Sequence, residues 1–375
     1  MFLLALTTMP GGIRPPPEVI ASWPKPNMTD PESHGPSGIV LASVFGGIAL
    51  TTVGVRLWAR CVIQRRGGWD DLCAGLAVVP VLGLAIAFVL SSEVYGANLH
   101  TWDNTLPKLI AQRQVALAME MLYVLGSGLV RISVLLFYRR MGFRSISRGF
   151  MLTTWISIFS VVGYSVAFLA VIFGSCRPLH AYWDQINPVW AASHTWKCYN
   201  EAVHIIVATG VALVQDAVVT TLPAILCWNL RISFREKIAL GSIFVAGYLT
   251  PVIAGIRLYF IVRLYYVSYD ASWTSWYCWM LAMMELLIAI TCSSLPAARV
   301  FFNQYKPHVD FVGTARGIKS VFSRSTSRKS ISAERSRRVS SSTVKLTEQT
   351  YSKNSNTFTD DGPEIELDRM QKMPV

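Results

Sequence analysis

Glu120 and Arg131 are ionisable residues set inside an apolar run, Gln112 to Arg140, that is long enough to cross a bilayer. Eleven residues part them, and eleven steps of about 100° return almost to the starting direction, so Glu120, Ser127 and Arg131 share one helix face with Tyr123 close by. Neither charge can face hydrocarbon cheaply, so this face looks into a helix bundle and requires partners there. Depth along the other apolar runs sorts the candidates. Glu120, Arg257 and Glu285 fall in the outer halves of three runs, one cation with two carboxylates, and a mutual ion network is the expected arrangement. His204 borders that layer, and Asp216 lies near the middle of its own run beside Gln215. Toward the other side, Arg56, Arg60, Asp70, Asp71 and Arg131 form a second set, the aspartates opening a helix directly after Gly67-Gly68-Trp69. Two chemistries are open to these groups. They are ion-pair locks that orient helices, or they form a ligand site or proton pathway.

The elements that must hold them are membrane spans. The chain has 375 residues, 52% hydrophobic and 15% charged, with mean hydropathy +0.40, against about 25% charged in soluble domains. An all-α bundle of seven transmembrane helices is predicted, at about Gly38 to Trp58, Leu72 to Ser92, Gln112 to Tyr138, Phe150 to Gly174, Ala202 to Trp228, Ile238 to Val262 and Ser275 to Val300. Residues 1–37 carry eight prolines and read as a disordered arm; residues 303–375 read as a disordered basic, Ser-rich tail. Lys and Arg number ten in the first, third and fifth loops and four in the second, fourth and sixth, which puts the N-terminus outside and the tail in the cytoplasm. Tryptophans 102, 183, 190, 196, 273, 276 and 279 gather at the outer interface and 58, 69 and 228 at the inner one. The net charge of +12 then belongs to topology and to an anionic membrane surface, and nucleic acid is not an expected partner. The expected location is an integral, multi-pass one in the plasma membrane or an endomembrane.

Three modifications follow from this topology. Cys176 and Cys198 are the two cysteines of the outer loops, and a disulfide between them is expected. Asn27-Met28-Thr29 is a glycosylation sequon on the outer arm. In the tail, ten serines between Ser320 and Ser342 alternate with basic residues, and Arg337-Arg338-Val339-Ser340 suits a basophilic kinase, so phosphorylation at Ser340 would weaken attraction to an anionic leaflet.

Enzyme motifs are missing from the sequence: it holds no His-Glu-x-x-His, no Gly-x-Ser-x-Gly and no nucleotide loop. No cofactor or metal is expected, since the seventh span has no lysine for a retinal Schiff base and only His204 is an intramembrane histidine. Glutamates placed alike in Leu117-Ala-Met-Glu120 and Ala282-Met-Met-Glu285 keep a repeat-based transporter in view.

Taken together, Arg56 and Arg60 ahead of Gly68-Trp69-Asp70-Asp71, Glu120-Met-Leu-Tyr123, Arg131 with Tyr138-Arg139-Arg140, Cys176-Arg-Pro with Cys198, Asp216 with Pro223, and Glu285 with Pro296 resemble the fungal rhodopsin-domain integral membrane family. This group takes its name from a membrane protein of the satratoxin gene cluster and is similar to fungal receptor-like proteins. The resemblance runs from about Gly38 to Phe302; at position 131 it leads one to expect lysine, and arginine stands there. It implies a seven-helix fungal membrane protein, in some cases encoded beside secondary-metabolite genes. The resulting expectation is a receptor-like protein without catalytic activity that binds an unknown small molecule and signals to a cytoplasmic partner. The alternative is a membrane component or transporter of a metabolite pathway.

Overall fold

The computed structural model describes residues 12–13, 15–141, 148–228 and 234–305, with side chains described outside 141, 223–246, 298–300 and 302–305. The basic tail with Ser340 and loop residues such as Arg144 and Arg231 lie outside the described residues. Seven helices among those described are long and apolar enough to cross a membrane. We number them α1 (Ser37–Trp58), α2 (Trp69–Glu93), α3 (Leu106–Met141), α4 (Arg148–Phe173), α5 (Glu201–Trp228), α6 (Phe234–Tyr266) and α7 (Ala271–Tyr305). Neighbours in sequence pack side by side and α7 closes back on α1, while α3 touches α2, α4, α5 and α7. The inward face inferred from the charges of α3 therefore has neighbours on several sides. Close approach there needs small residues: a Cβ on Gly128 would meet the Ser165 hydroxyl of α4 at 2.7 Å.

Local rules account for the ends. The backbone N–H of Gly68, just ahead of α2, donates to Asp71 Oδ2 at 3.2 Å, and Asp70 and Asp71 complement the helix dipole in its first turn. α1 runs on beyond its predicted end through a π turn, Ala59–Ile63, that carries Arg60.

The arm, predicted to lack regular elements, contains a six-residue helix, Pro17–Ser22. The reason is that proline at a helix's first position gives up no hydrogen bond and fixes the needed φ. Further on, the arm is fastened to the bundle. Ser33 bridges Leu99, the His34 N–H donates to the Asn98 carbonyl at 3.2 Å, and His34 enters a stack of five rings. The order is Trp102, His100, Trp273, His34, Trp276, with successive centroids 4.5, 4.1, 3.7 and 4.1 Å apart. His100 Nδ1 also lies 2.5 Å from Asp270 Oδ2, and Asp270 Oδ1 accepts from the Thr101 N–H and hydroxyl. Trp102, Trp273 and Trp276, predicted to mark the outer interface, are thereby engaged in the stack, Trp102 on His100 and the other two on either side of the arm's His34.

The α4–α5 connection is tied by the Cys176–Cys198 disulfide, which joins two short antiparallel strands, β1 (Cys176–Arg177) and β2 (Lys197–Cys198). The arm, the disulfide and the α2–α3 and α6–α7 loops share one end of the bundle, called the disulfide end below. Asn27 is exposed there, its amide donating to the Asp30 carbonyl.

Candidate functional site

α3 carries a ladder of buried polar pairs, and its first rung was not anticipated from the sequence. Near the disulfide end, Arg113 donates two hydrogen bonds to Glu201 of α5, at 2.7 and 2.6 Å. The same carboxylate accepts from the hydroxyls of Tyr265 at 2.8 Å and Tyr182 at 3.3 Å, and the guanidinium lies 4.2 Å from the Tyr182 ring. Burial pushes the Tyr182 hydroxyl well above its ordinary range, against the opposing pull of Arg113, so it stays a donor to Glu201. A signal existed: Arg113 stands seven residues before Glu120, two turns up the same face.

One rung deeper, Glu120 Oε1 lies 3.0 Å from His204 Nε2. Phe168 of α4 and Tyr199 of the disulfide loop flank that imidazole, with centroids at 5.1 and 5.0 Å. The third rung joins three helices. The Tyr123 hydroxyl donates to Glu285 Oε1 at 2.6 Å and accepts from Arg257 Nη2 at 2.5 Å, while Arg257 Nε donates to Glu285 Oε2 at 3.1 Å. The expected single network of Glu120, Arg257 and Glu285 is thus two separate clusters. Three residues of helix turn a side chain by about 300°, so Glu120 and Tyr123 point about 60° apart, the first toward α5 and the second toward α6 and α7.

The fourth rung corrects a second expectation. Arg131 belongs with Asp216 of α5, its Nε and Nη2 donating at 2.7 and 3.0 Å to the two carboxylate oxygens, and not with the set at the far end. From Arg113 to Arg131 the helix rises about 27 Å, nearly the hydrocarbon thickness of a bilayer. At the far end Arg56 donates to Asp71 Oδ1 at 3.1 Å, Asp70 Oδ2 at 3.3 Å and the Ser293 carbonyl of α7 at 2.9 Å. Arg140 joins these aspartates at 3.2 and 3.4 Å. Arg60 stays in that group by charge, facing Asp71, Asp70, Arg56 and Arg140, but it makes no ion pair there; it donates to Gln64 at 2.8 Å and shares the Phe137 ring with Arg56, at 5.3 and 5.9 Å.

A cavity of about 170 Å³ opens along the first three rungs. Its charged lining is Arg113, Glu120, Glu201, His204 and Arg257; its rings are Tyr123, Tyr164, Phe168, Tyr182, Tyr265 and Trp279. Ile13 of the arm also lines it and packs against Ile261, Leu264 and Tyr265. Glu285, Asp216 and Arg131 do not line it; Glu285 stands behind the wall, bonded to Tyr123 and Arg257. The arrangement is a polar, aromatic-walled pocket between α3, α4, α5, α6 and α7, sunk into an apolar bundle; no group of three or more His, Cys, Asp or Glu among the described residues could hold a metal.

Seven apolar helices with charges paired inward define a multi-pass integral membrane protein. Within that class the chain belongs to the fungal rhodopsin domain family, whose model matches residues 55–304. It is similar to Receptor GIN3 of Arthrobotrys oligospora, 26% identical over 323 residues that make up 82% of this chain and 74% of that one. A SAT4 family membrane protein of Emericella nidulans is 26% identical over 285 residues, 75% of this chain and 64% of its own. The polyenoic acids biosynthesis gene cluster protein Ba17b of Metarhizium anisopliae is 26% identical over 221 residues, 58% of each chain. The match thus spans less than two thirds of the latter two relatives. No solved structure matches the chain.

Proposed function

We propose that the protein is a receptor-like membrane protein that binds a small molecule in the cavity beside α3 and signals to a cytoplasmic partner, without catalytic activity of its own. The observation that carries this reading is the cavity: three polar clusters and six aromatic rings converge on one space between the helices. The naming of one relative as a receptor supports it. The basic residues counted in the loops support an arrangement with the cavity facing outward and the tail in the cytoplasm, and a tag after Val375 should then resist protease added to intact cells. α3 gives a route for the signal, since Glu120 and Tyr123 at the cavity and Arg131 and Arg140 below it ride on one rigid helix.

The test is native mass spectrometry of the full chain purified from its own host's membranes. A small-molecule adduct is expected, and Ala116→Trp, which fills the cavity from α3, should lose it while keeping the thermal midpoint. An adduct that survives the filling substitution refutes the site. A second reading, a non-catalytic membrane component or transporter of a secondary-metabolite pathway, is favoured by the cluster protein among the relatives. Deleting the gene separates the two: a pathway component changes the amount or export of a metabolite, whereas a receptor changes a response to an added one.

A further inference from the structure

Charge accounting inside the cavity singles out one carboxylate whose partner carries no fixed charge. Arg113 and Glu201 cancel, with the guanidinium gripping both carboxylate oxygens. Arg257 and Glu285 cancel, and Arg257 has Nε on Glu285, Nη1 on Thr209 and Nη2 on Tyr123. Glu201 accepts from two tyrosines besides Arg113, and Glu285 from Tyr123 besides Arg257. Glu120 differs. Among the described residues its one hydrogen-bond partner is His204, an imidazole that is charged only when protonated. A carboxylate can accept about four hydrogen bonds, and this one, 13% exposed, opens onto the cavity.

We propose that the ligand of this cavity is an organic cation with a compact apolar body, its charged nitrogen held by the Glu120 carboxylate and its body among the surrounding rings. The inference rests on the reading that the cavity binds a small molecule, and it names the class. A ligand carboxylate would have to pull Arg113 or Arg257 from its partner and leave Glu201 or Glu285 unpaired in a medium of low dielectric. A neutral ligand would leave Glu120 as it stands. A cation satisfies it, and Tyr164, Phe168 and Trp279 line the cavity with rings whose faces carry the negative quadrupole that attracts such a charge, while the Tyr123 ring is already taken by Arg257 at 4.4 Å. Size sets the body: a cavity of roughly 150 Å³ takes benzene, so about 170 Å³ suits one ring with a short aminoalkyl arm.

Three probes of like shape test this on the full chain in detergent: 2-phenylethylammonium, 2-phenylethanol and 3-phenylpropionate. Binding is read by calorimetry and thermal shift, with all three probes in one mildly alkaline buffer. The ammonium should bind at least tenfold more tightly than the alcohol, and the carboxylate weakest. Glu120→Gln should remove the tenfold preference, whereas Glu93→Gln, exposed and outside the cavity, should keep it. Alcohol or carboxylate binding as tightly as ammonium overturns the cation assignment and leaves the cavity a binding site. Binding by none of the three overturns the assignment too, and the cavity reading is then decided separately by the adduct and its loss in Ala116→Trp. The probe comparison needs only the native chain, so it stands even if Glu120→Gln does not fold.

Discussion

Replacing Arg131 by methionine tests whether the ladder is held by electrostatics. Asp216 accepts from Arg131 at 2.7 and 3.0 Å, and Arg131 further reaches the Gln215 Oε1 at 3.5 Å and the Ala212 carbonyl at 3.4 Å. Both charged side chains are buried, Arg131 at 4% and Asp216 at 8% exposed. Removing one partner strands the other ion in an apolar bundle, which costs about 3–5 kcal/mol. At about 2 °C per kcal/mol for a domain of this size, the thermal midpoint in detergent should fall by about 6–10 °C. Asp216→Leu alone should fall by a similar amount, since it strands the guanidinium. Arg131→Met combined with Asp216→Leu should recover most of the loss, because well-packed apolar side chains match a buried ion pair. A single Arg131→Met variant with an unchanged midpoint would refute the pairing. A double variant no better than either single would show that shape, and not charge, is what Arg131 supplies.

Other consequences can be checked in the same preparation. Tyr123→Phe removes the hydroxyl between Arg257 and Glu285 and should destabilise the bundle by about 2 kcal/mol, the scale of a charge-assisted hydrogen bond; calorimetric unfolding at wild-type temperature would contradict the bridging role. Cys176→Ser with Cys198→Ser opens a link across 22 residues and should cost about 3 kcal/mol, read as a lower midpoint that reductant no longer changes. His34 gives a pH dependence. Burial, reinforced by His100 and opposed by the Trp273 backbone, Asp270 and Glu32, holds its imidazole below the ordinary 6.5, and its Nε2 has no partner among the described residues. The unfolded arm therefore takes the proton first as pH falls through 6.5, so the arm's attachment is complete above that pH and weakens below it. Hydrogen-exchange protection over residues 15–36, taken relative to the intrinsic rate at each pH, should fall on acidification in the native chain and stay level in His34→Phe.

How much of this was legible in the residues follows from what each feature depends on. The seven spans were, because length and apolarity are properties of one segment at a time, and Cys176 met Cys198 because the outer loops offer no other cysteine. Glu120 and Arg131 could be placed on an inward face by helical period alone. Their partners could not, since a partner depends on which neighbour packs against that face, and a 60° turn between Glu120 and Tyr123 was enough to send them to different helices. Arg113 and Glu201 escaped notice for another reason. They sit at helix ends, where charge is ordinary on hydropathy, and two of the groups that bury them, Tyr182 and Tyr265, come from a loop and from the far end of α6. The ring stack was hidden because it draws on the arm, the α2–α3 loop and α7, each unremarkable by itself.

That stack bears on how the chain is completed during synthesis. His34 leaves the ribosome before any span, and its neighbours Trp273 and Trp276 belong to the last one, so the rings can assemble only after every helix between has entered the bilayer. Until then the arm has only its contacts with the α2–α3 loop, at Asn98, Leu99 and Asp103. Once α7 arrives, a contact of very long sequence separation forms between the earliest and latest parts of the bundle, and such contacts close late. A His34 seated between Trp273 and Trp276 is thus a signature that all seven helices are in place, and a chain stopped short of α7 would leave that imidazole without its two indoles.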